Sequence, residues 1–534
     1  MRRWNGWGDE ATVVELPAHG AAFLENLVGT GQRLKDATLG QVLVQVPESR
    51  LSRRHPLISV DAEVRVRHAR GQSLPDWLAM RSGEFGVFPD GVALPETAAQ
   101  IRELLAWARE QDAIVIPYGG GTSVAGHINP VESAKPVLTL SLERMTQLLD
   151  LDEQSQIATF GPGANGPQVE AQLRARGYTL GHFPQSWELS TLGGWVASRS
   201  SGQQSLRYGR IEQLFAGGKV ETFAGTLDIP TFPASAAGPD LRELILGSEG
   251  RFGVISEVKV RVTKLAEQEK FFAVFLPSWQ QALAGIRALV QARIPLSMLR
   301  LSNAIETETQ LALAGHPEQI ALLEKYLALR GARAGKCMLT FGVTGNRSQN
   351  ALSVKQAKKL LKSFGGVFTG TLLGKKWAEN RFRFPYLRHG LWEAGYAVDT
   401  LETATDWNNV DHLLNQVEAS LRQGLAEEGE RVHVFTHLSH VYGQGSSIYT
   451  TYVFRPGDSY ATTLARWTKL KRAASQTIAA NRGTISHQHG VGRDHAPYLA
   501  AEKGELGMAA LKAMAQYFDP ERRLAPGVLL ETHE

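Results

Sequence analysis

A single cysteine, Cys337, stands among 534 residues. No internal disulfide can form, which fits a reducing compartment. No stretch approaches the ~18 apolar residues that a spanning helix needs. The opening residues, MRRWNGWGDE, carry arginines with no apolar run behind them, so a secretory signal is not expected. Neither sign of charge is in real excess: 57 basic against 53 acidic residues leave a net charge of +4. That gives no ground for a nucleic-acid partner. Internal repeats and low-complexity tracts are missing as well. These absences lead to the expectation of a cytoplasmic protein, peripheral to a membrane at most. What is present is ordinary for a globular chain: 43% hydrophobic and 21% charged residues. The length suggests roughly three or four compact units, and such a chain needs no disulfide or metal to hold it.

Residues 1–84 are mixed, with Trp4 and Trp7 at the front. In the next stretch Thr97 and Gln100 form a candidate capping box. Ile101, Leu104, Leu105 and Ala108 then recur on one helical face. The short apolar strand AIVIP follows and ends in a glycine run. KPVLTLSL and QIATFGPG read as strands, and Pro167 to Arg176 as a helix with proline in its first turn. VISEVKVRV alternates as a half-buried strand should. Strands and helices mix without strict βαβ repetition, which favours an α+β fold. From about residue 266 longer strands set in, among them RVHVFTHLSHVYG and GSSIYTTYVF. They flank the candidate hairpin turn Tyr442-Gly443-Gln444-Gly445. A helix is expected over 350–364 and another over about 503–517. The division expected is 1–84, 85–265, 266–480 and 481–534.

Three segments carry chemistry. Pro117, Tyr118, Gly119, Gly120, Gly121, Thr122 and Ser123 follow a strand. Three glycines let the backbone approach a ligand and turn N–H groups toward it, as a pyrophosphate requires. A plain glycine turn would read the same way. The second segment, 182–210, is long and irregular, rich in Ser, Thr and Gly; such segments inside compact domains are functional or disordered, and its aromatics argue against disorder. The third is GSEGRFGVISEV, where glycines alternate with polar residues before a strand.

Together these segments resemble the FAD-binding domain of the vanillyl-alcohol oxidase superfamily, the PCMH type. The resemblance implies a two-subdomain FAD-binding domain, plus a cap domain with a large antiparallel sheet flanked by helices. It places FAD against Pro117 to Ser123, against Gln185, Ser186, Trp187, Glu188, Leu189, Ser190 and Thr191, against Ser198, Arg199, Ser200 and Ser201, and against Glu249, Gly250, Arg251, Phe252, Gly253, Val254 and Ile255. Thr122 stands where some members tether the flavin through histidine, so noncovalent FAD is implied.

Within the superfamily the likeness is to the alkyldihydroxyacetonephosphate synthases, and it runs almost the full chain. WNGWG, GGGTSV, STLGGWVASRSSG, GSEGRFGVI, RLSN, YLRHG, LETATDW, GSSIY and SHQHGVG carry it. It implies Tyr449 as acid/base, Arg388 as the clamp for an anionic substrate, and Arg300 as a second required arginine. The family's three histidines beside the flavin fall on His487, Gln488 and His489. Gln488 departs from the pattern, because an amide cannot take a proton. Two reactions follow. In one, an alcohol replaces the acid of an acyl-dihydroxyacetone phosphate with no net redox. In the other, suggested by Gln488, the enzyme oxidises a 2-hydroxy acid or a glycerol phosphate. A flavin-free binding protein is a third reading, which the intact loops oppose. A small-molecule or lipid-like phosphate or carboxylate substrate is implied, and so is a homodimer.

Flavin-dependent hydroxy-acid dehydrogenases of the same superfamily hold a divalent metal. His437 and His440 stand in place of two ligands, but Gln488 replaces the ligating glutamate. An amide is a poor substitute for a carboxylate, so no metal is expected. His495 reads as a surface residue. Arg381 and Arg383 read as a solvated basic face, as do Lys355, Lys358, Lys359 and Lys362, with an anionic lipid surface as the other reading of that helix.

Overall fold

The computed structural model describes residues 1–314 and 317–531. Four sheets organise it. A four-stranded sheet runs Ile58–Ser59, Gly91–Ala93, Val137–Ser141, Ile114–Tyr118, with parallel pairing among the last three. Beside it, an antiparallel five-stranded sheet centres on Val254–Arg261. A two-stranded ribbon joins Thr263–Lys264 to Tyr178–Thr179. The largest sheet has seven strands, all paired antiparallel, and lies entirely within 268–454.

The local signals act as their chemistry requires. Helix Ala98–Glu110 begins where the Thr97 side chain accepts from Gln100 N, and Ile101, Leu104, Leu105 and Ala108 are its buried face. The expected capping box is only half made: Gln100 Oε1 accepts from Glu96 N at 2.6 Å instead of from the cap residue. Helix Gly166–Arg174 starts one residue early, on a full Asn165/Gln168 box. The hairpin turn forms at the expected place, with Tyr442 N donating to Gly445 O at 2.8 Å. The last long helix departs from expectation. It runs Ala496–Phe518 and is broken at Gly504, φ 66°. That glycine interrupts a helix already begun at Ala496, with Pro497 in its first turn, where the ring suits the geometry.

Strand Ala397–Asp406 pairs with Gly445–Phe454 along its whole length. Residues directly opposite share a face. On one face Leu401, Ile448, Tyr452 and Phe454 join the main core with Leu413, Val417, Leu470 and Ala474 of two covering helices. Each such fully buried side chain contributes roughly 1.5–3 kcal/mol. The other face carries Val398, Thr400 and Glu402 opposite Val453, Thr451 and Tyr449. Phe435 and His437, on strand His433–Leu438, lie opposite Thr451 and Tyr449 in turn. That second face is the floor of the site.

The chain ends interlock with distant segments. Leu74, Trp77 and Leu78 belong to the same core as the large sheet. Leu24 and Val28 pack on Leu391, Tyr396 and Val453. At the other end, Val115 N donates to Arg523 O and Ala525 N to Val115 O, both at 2.9 Å. The C-terminal segment thus extends the edge of the four-stranded sheet. No helix among the described residues is long and apolar enough to cross a membrane.

Candidate active site: a cavity between two sheet systems

A cavity of about 390 Å³ lies between the glycine-rich loops and the exposed face of the large sheet, within the size range of ligand pockets. Its first wall is the loop Pro117–Val124, with Gln185, Ser186, Ser190, Thr191, Ser198, Ser200, Glu249, Gly250, Gly253 and Ile255. The N–H groups of Gly119 through Val124 donate to no backbone or side-chain acceptor among the described residues. A row of unpaired donors at a cavity wall is a cradle for an anion. The glycines are obligatory. A Cβ on Gly120 would stand 1.8 Å from Leu189 O, and Gly121 has φ +69°. The donors present therefore fit the diphosphate of FAD.

Other expected FAD contacts stand behind this wall instead of on it. Trp187 stacks on Phe382 at 4.7 Å. Glu188 accepts from the Tyr386 hydroxyl at 2.9 Å. Leu189 contributes the backbone against which Gly120 packs. Arg199 ends a short helix at φ 54° and pairs with Glu243. Arg251 donates to Asp519 at 3.0 Å. Phe252 and Val254 are core residues. Ser201 N donates to Gln488 Oε1 at 3.2 Å. All of these shape the wall from outside.

The opposite wall is polar at one end and apolar at the other. Arg300, Glu306, His437, Tyr449, Gln488 and His489 line the polar part, and Arg388 lines the cavity too. Leu24, Leu313, Leu387, Leu391, Val398, Phe435 and Val453 line the rest. The gradient comes from the sheet: along one strand face Tyr449 gives way to Thr451 and then Val453.

Arg388 donates to Gln72 O at 2.7 Å and lies 4.5 Å over the Trp77 ring. Its Nε and Nη2 are buried without partners, and burial lowers its pKa to about 10. A guanidinium with spare donors matches carboxylate or phosphate oxygens. Arg300 is already engaged, since its Nη2 donates to Glu306 Oε1 at 2.7 Å. Burial pushes the Tyr449 pKa up, so the phenol keeps its proton. The Tyr449 ring stacks on His437 at 4.7 Å and meets His489 edge-on at 5.8 Å.

The three-residue run divides. Gln488 and His489 line the cavity, whereas His487 does not. This corrects the expectation that His487 lines the flavin ring. Its Nε2 lies 2.6 Å from both Arg210 Nη1 and the Tyr442 hydroxyl, and its Nδ1 lies 3.0 Å from Glu402 Oε1. Burial alone would raise the Glu402 pKa, but His487, His440 and His489 hold it well below the usual carboxylate range. Gln488 Nε2 donates to Glu402 Oε2 at 2.6 Å. Glu402, His440 and His487 converge to within 4.8 Å of one another, a grouping different from the His437/His440 pair that the sequence suggested.

Two surface readings are corrected as well. His495 is 6% exposed, and burial lowers its pKa to about 3. Arg381 is not part of a solvated face, since it lies 4.9 Å over both Phe183 and Phe382. Lys358 covers Phe272 and Phe368, at 5.5 and 5.7 Å. Sequence reasoning missed Glu306, Glu402 and His127, the last lining the cavity with Nδ1 3.7 Å from Glu249 Oε2, and saw His437 only as a metal ligand. Of these only Glu306 had a signal: Asn303 three residues before it marks a helix start.

Known proteins match this arrangement. A model of the FAD binding domain matches residues 89–227, and one of the C-terminal domain of FAD linked oxidases matches 265–529. The alkyldihydroxyacetonephosphate synthase of Trypanosoma brucei brucei is 28% identical, over 99% of this chain and 92% of that one. An uncharacterized FAD-linked oxidoreductase of Escherichia coli O157:H7 is 27% identical over 83% of this chain and 89% of its own. A solved alkyldihydroxyacetonephosphate synthase superposes with a TM-score of 0.84 at 23% identity, covering 98% of each chain.

Proposed function

The chain belongs to the FAD-linked oxidase family of flavoenzymes, and from that premise we propose that it catalyses ether-lipid-type chemistry on a glycerone-phosphate-type substrate bearing a long hydrocarbon chain. The observation that carries this is the polarity gradient of the cavity, with Arg300, Glu306, His437 and Tyr449 in its polar part and a sleeve of Leu, Val and Phe along the rest. A small hydroxy acid has no use for that sleeve. The alkyldihydroxyacetonephosphate synthases among its relatives support the reading.

FAD, noncovalently held, supplies an electron-accepting ring when bound. The N–H row of Gly119–Val124 and the Thr122 hydroxyl hold its diphosphate. The spare donors of Arg388 fix an anionic substrate group. Tyr449, kept protonated by burial, donates a hydrogen bond or proton to a substrate oxygen. His489 makes no side-chain hydrogen bond among the described residues and lines the cavity, with Nε2 3.8 Å from Glu402 Oε2, so its ring is available to exchange a proton with substrate.

The test is an anaerobic visible spectrum of the purified protein with a panel of hydroxy acids, glycerol phosphates and acyl-dihydroxyacetone phosphates. Under this reading the hydroxy acids leave the oxidised-flavin band in place, while long-chain alcohol is exchanged into the acyl substrate. Arg388→Ala raises KM for the anionic substrate by about 10–100-fold, the loss of a charged hydrogen bond worth roughly 1.5–3 kcal/mol. Lasting bleaching by a 2-hydroxy acid would instead select the second reading, an FAD-linked oxidoreductase. Gln488 favours that alternative.

A further inference from the structure

We propose that Glu306 and His437 form a carboxylate–imidazole pair that removes the proton of a hydroxyl group bound at the polar end of the cavity. Both residues line that cavity. His437 is fixed by its strand, opposite Tyr449 on one side and Ser302 on the other, and its ring is stacked on Tyr449. Glu306 is fixed by the first turn of helix Ala304–Leu313, where Asn303 Oδ1 accepts from its N–H at 2.8 Å. Its Oε1 lies 2.9 Å from His437 Nδ1 and 2.7 Å from Arg300 Nη2.

These contacts select a tautomer. Nδ1 lies 2.9 Å from Glu306 Oε1, which as a carboxylate only accepts, and 3.1 Å from Arg300 Nη2, which only donates. With Nη2 donating to Oε1 at 2.7 Å, the shorter carboxylate contact assigns the hydrogen to Nδ1 and the lone pair to Nε2. Nε2 has no partner among the described residues, yet it is not one of the enclosed unpartnered atoms. It is therefore open to the cavity. Arg300 and His437 Nδ1 are then two donors sharing one oxygen. This is the base-and-orienter geometry that activates hydroxyls in other enzymes.

The charge state agrees. Burial would raise the Glu306 pKa, but His437 and Arg300 outweigh it and hold it down at about 2. For His437, burial and Arg300 lower the pKa, against Glu306 and Glu402, which raise it; the net direction is down. His440 and the protonated Tyr449 are the other titratable neighbours. The imidazole is thus neutral at neutral pH, as a base must be.

The inference rests on the proposed ether exchange for the identity of the hydroxyl. The carbon–oxygen bond to the leaving carboxylate breaks and a bond to the alcohol oxygen forms. The alcohol's proton passes to His437 Nε2 and then to the carboxylate released, with no change in oxidation state overall.

Two measurements test it. In the holoenzyme, kcat/KM for alcohol exchange is followed against pH. Wild type should fall on an acid limb; Glu306→Gln should shift that limb to lower pH and reduce the plateau about 10–100-fold; His437→Gln should abolish the limb and cost about 10²–10⁴-fold. Limbs left in place in both variants would overturn the proposal, even if the rates fell. The second measurement needs no turnover. Nitrogen-15 histidine spectra of the full chain, assigned through His437→Gln, should show His437 as the Nδ1–H tautomer at neutral pH. The tautomer preference should be lost in Glu306→Leu, which leaves Nδ1 without an acceptor. An Nε2–H tautomer in wild type would overturn the pair, whether or not the protein performs ether exchange; a chain with the expected tautomer and no exchange would sink the reaction alone. Should His437→Gln fail to fold, Glu306→Asp serves: drawing the carboxylate back should move the same limb in the same direction.

Discussion

At the scale of single residues, the site depends on what is left out of a side chain. Gly120 has a carbonyl where a methyl group would have to go, 1.8 Å away on Leu189. Neither partner is a flexible side chain, so the loop must move as a whole. Gly120→Ala should therefore lose most of its FAD while the fold persists, at a cost of about 1–3 kcal/mol for overpacking. The ratio of flavin to protein absorbance, alongside a melting curve, checks this. The three glycines were legible in the sequence because consecutive glycines after a strand have few other uses. Glu402 was not legible. Its role depends on being opposite Tyr449 and beneath the 487–489 loop, which are both facts of pairing across distant segments. His487 misled for the same reason: adjacent residues of one loop face opposite ways, and sequence spacing in a turn does not fix direction.

At the scale of elements, helix Ala304–Leu313 and its neighbouring strands are tied together by charge. Glu306 has a folded pKa of about 2, below the usual value of 4.5. A carboxyl with a depressed folded pKa binds fewer protons folded than unfolded. Its contribution is present in full above the unfolded pKa and is lost as pH falls toward 2. The amount is on the order of a few kcal/mol. Glu249 works the other way, since burial raises it to about 7 despite hydrogen bonds from Val491 and Gly492 N–H. Its contribution is greatest below the unfolded pKa and declines as pH rises toward 7. Urea midpoints measured from pH 7 down to pH 3 should show Glu306→Gln losing the acid-side fall that wild type has, and Glu249→Gln losing the decline on the neutral side. Helices such as Ala98–Glu110 were readable from apolar spacing, because one buried face writes itself at i, i+3, i+4. The break at Gly504 reads from the sequence as a helix beginning, since a glycine's sign of φ is not in the sequence.

At the scale of the whole molecule, the C-terminal segment is a fastening. Asp519, fully buried, accepts from Arg251 at 3.0 Å and from the N–H groups of Arg523 and Leu524. This holds residues 523–525 against the edge of the four-stranded sheet. Arg251→Ala leaves a buried carboxylate without its cation, which should cost about 3–5 kcal/mol. Hydrogen exchange should then rise first at Val115 and Ala525. The α+β class was legible because strands and helices mix without strict βαβ repetition up to about 265, and the large sheet because long strands recur between 266 and 454; its antiparallel pairing was implied by the resemblance. The reach of both chain ends into distant cores was not, because Leu24 or Leu74 looks like any other apolar residue until its partner is known.

Gln488 joins the two halves with an amide: its oxygen takes the Ser201 N–H and its nitrogen serves Glu402. An amide has the same donor and acceptor ends in vinegar and in soap. This joint keeps its polarity whatever surrounds it, so the spacing between the two walls of the cavity is set by a group that does not register acidity. What stands at this point is a gauge block and not a proton carrier.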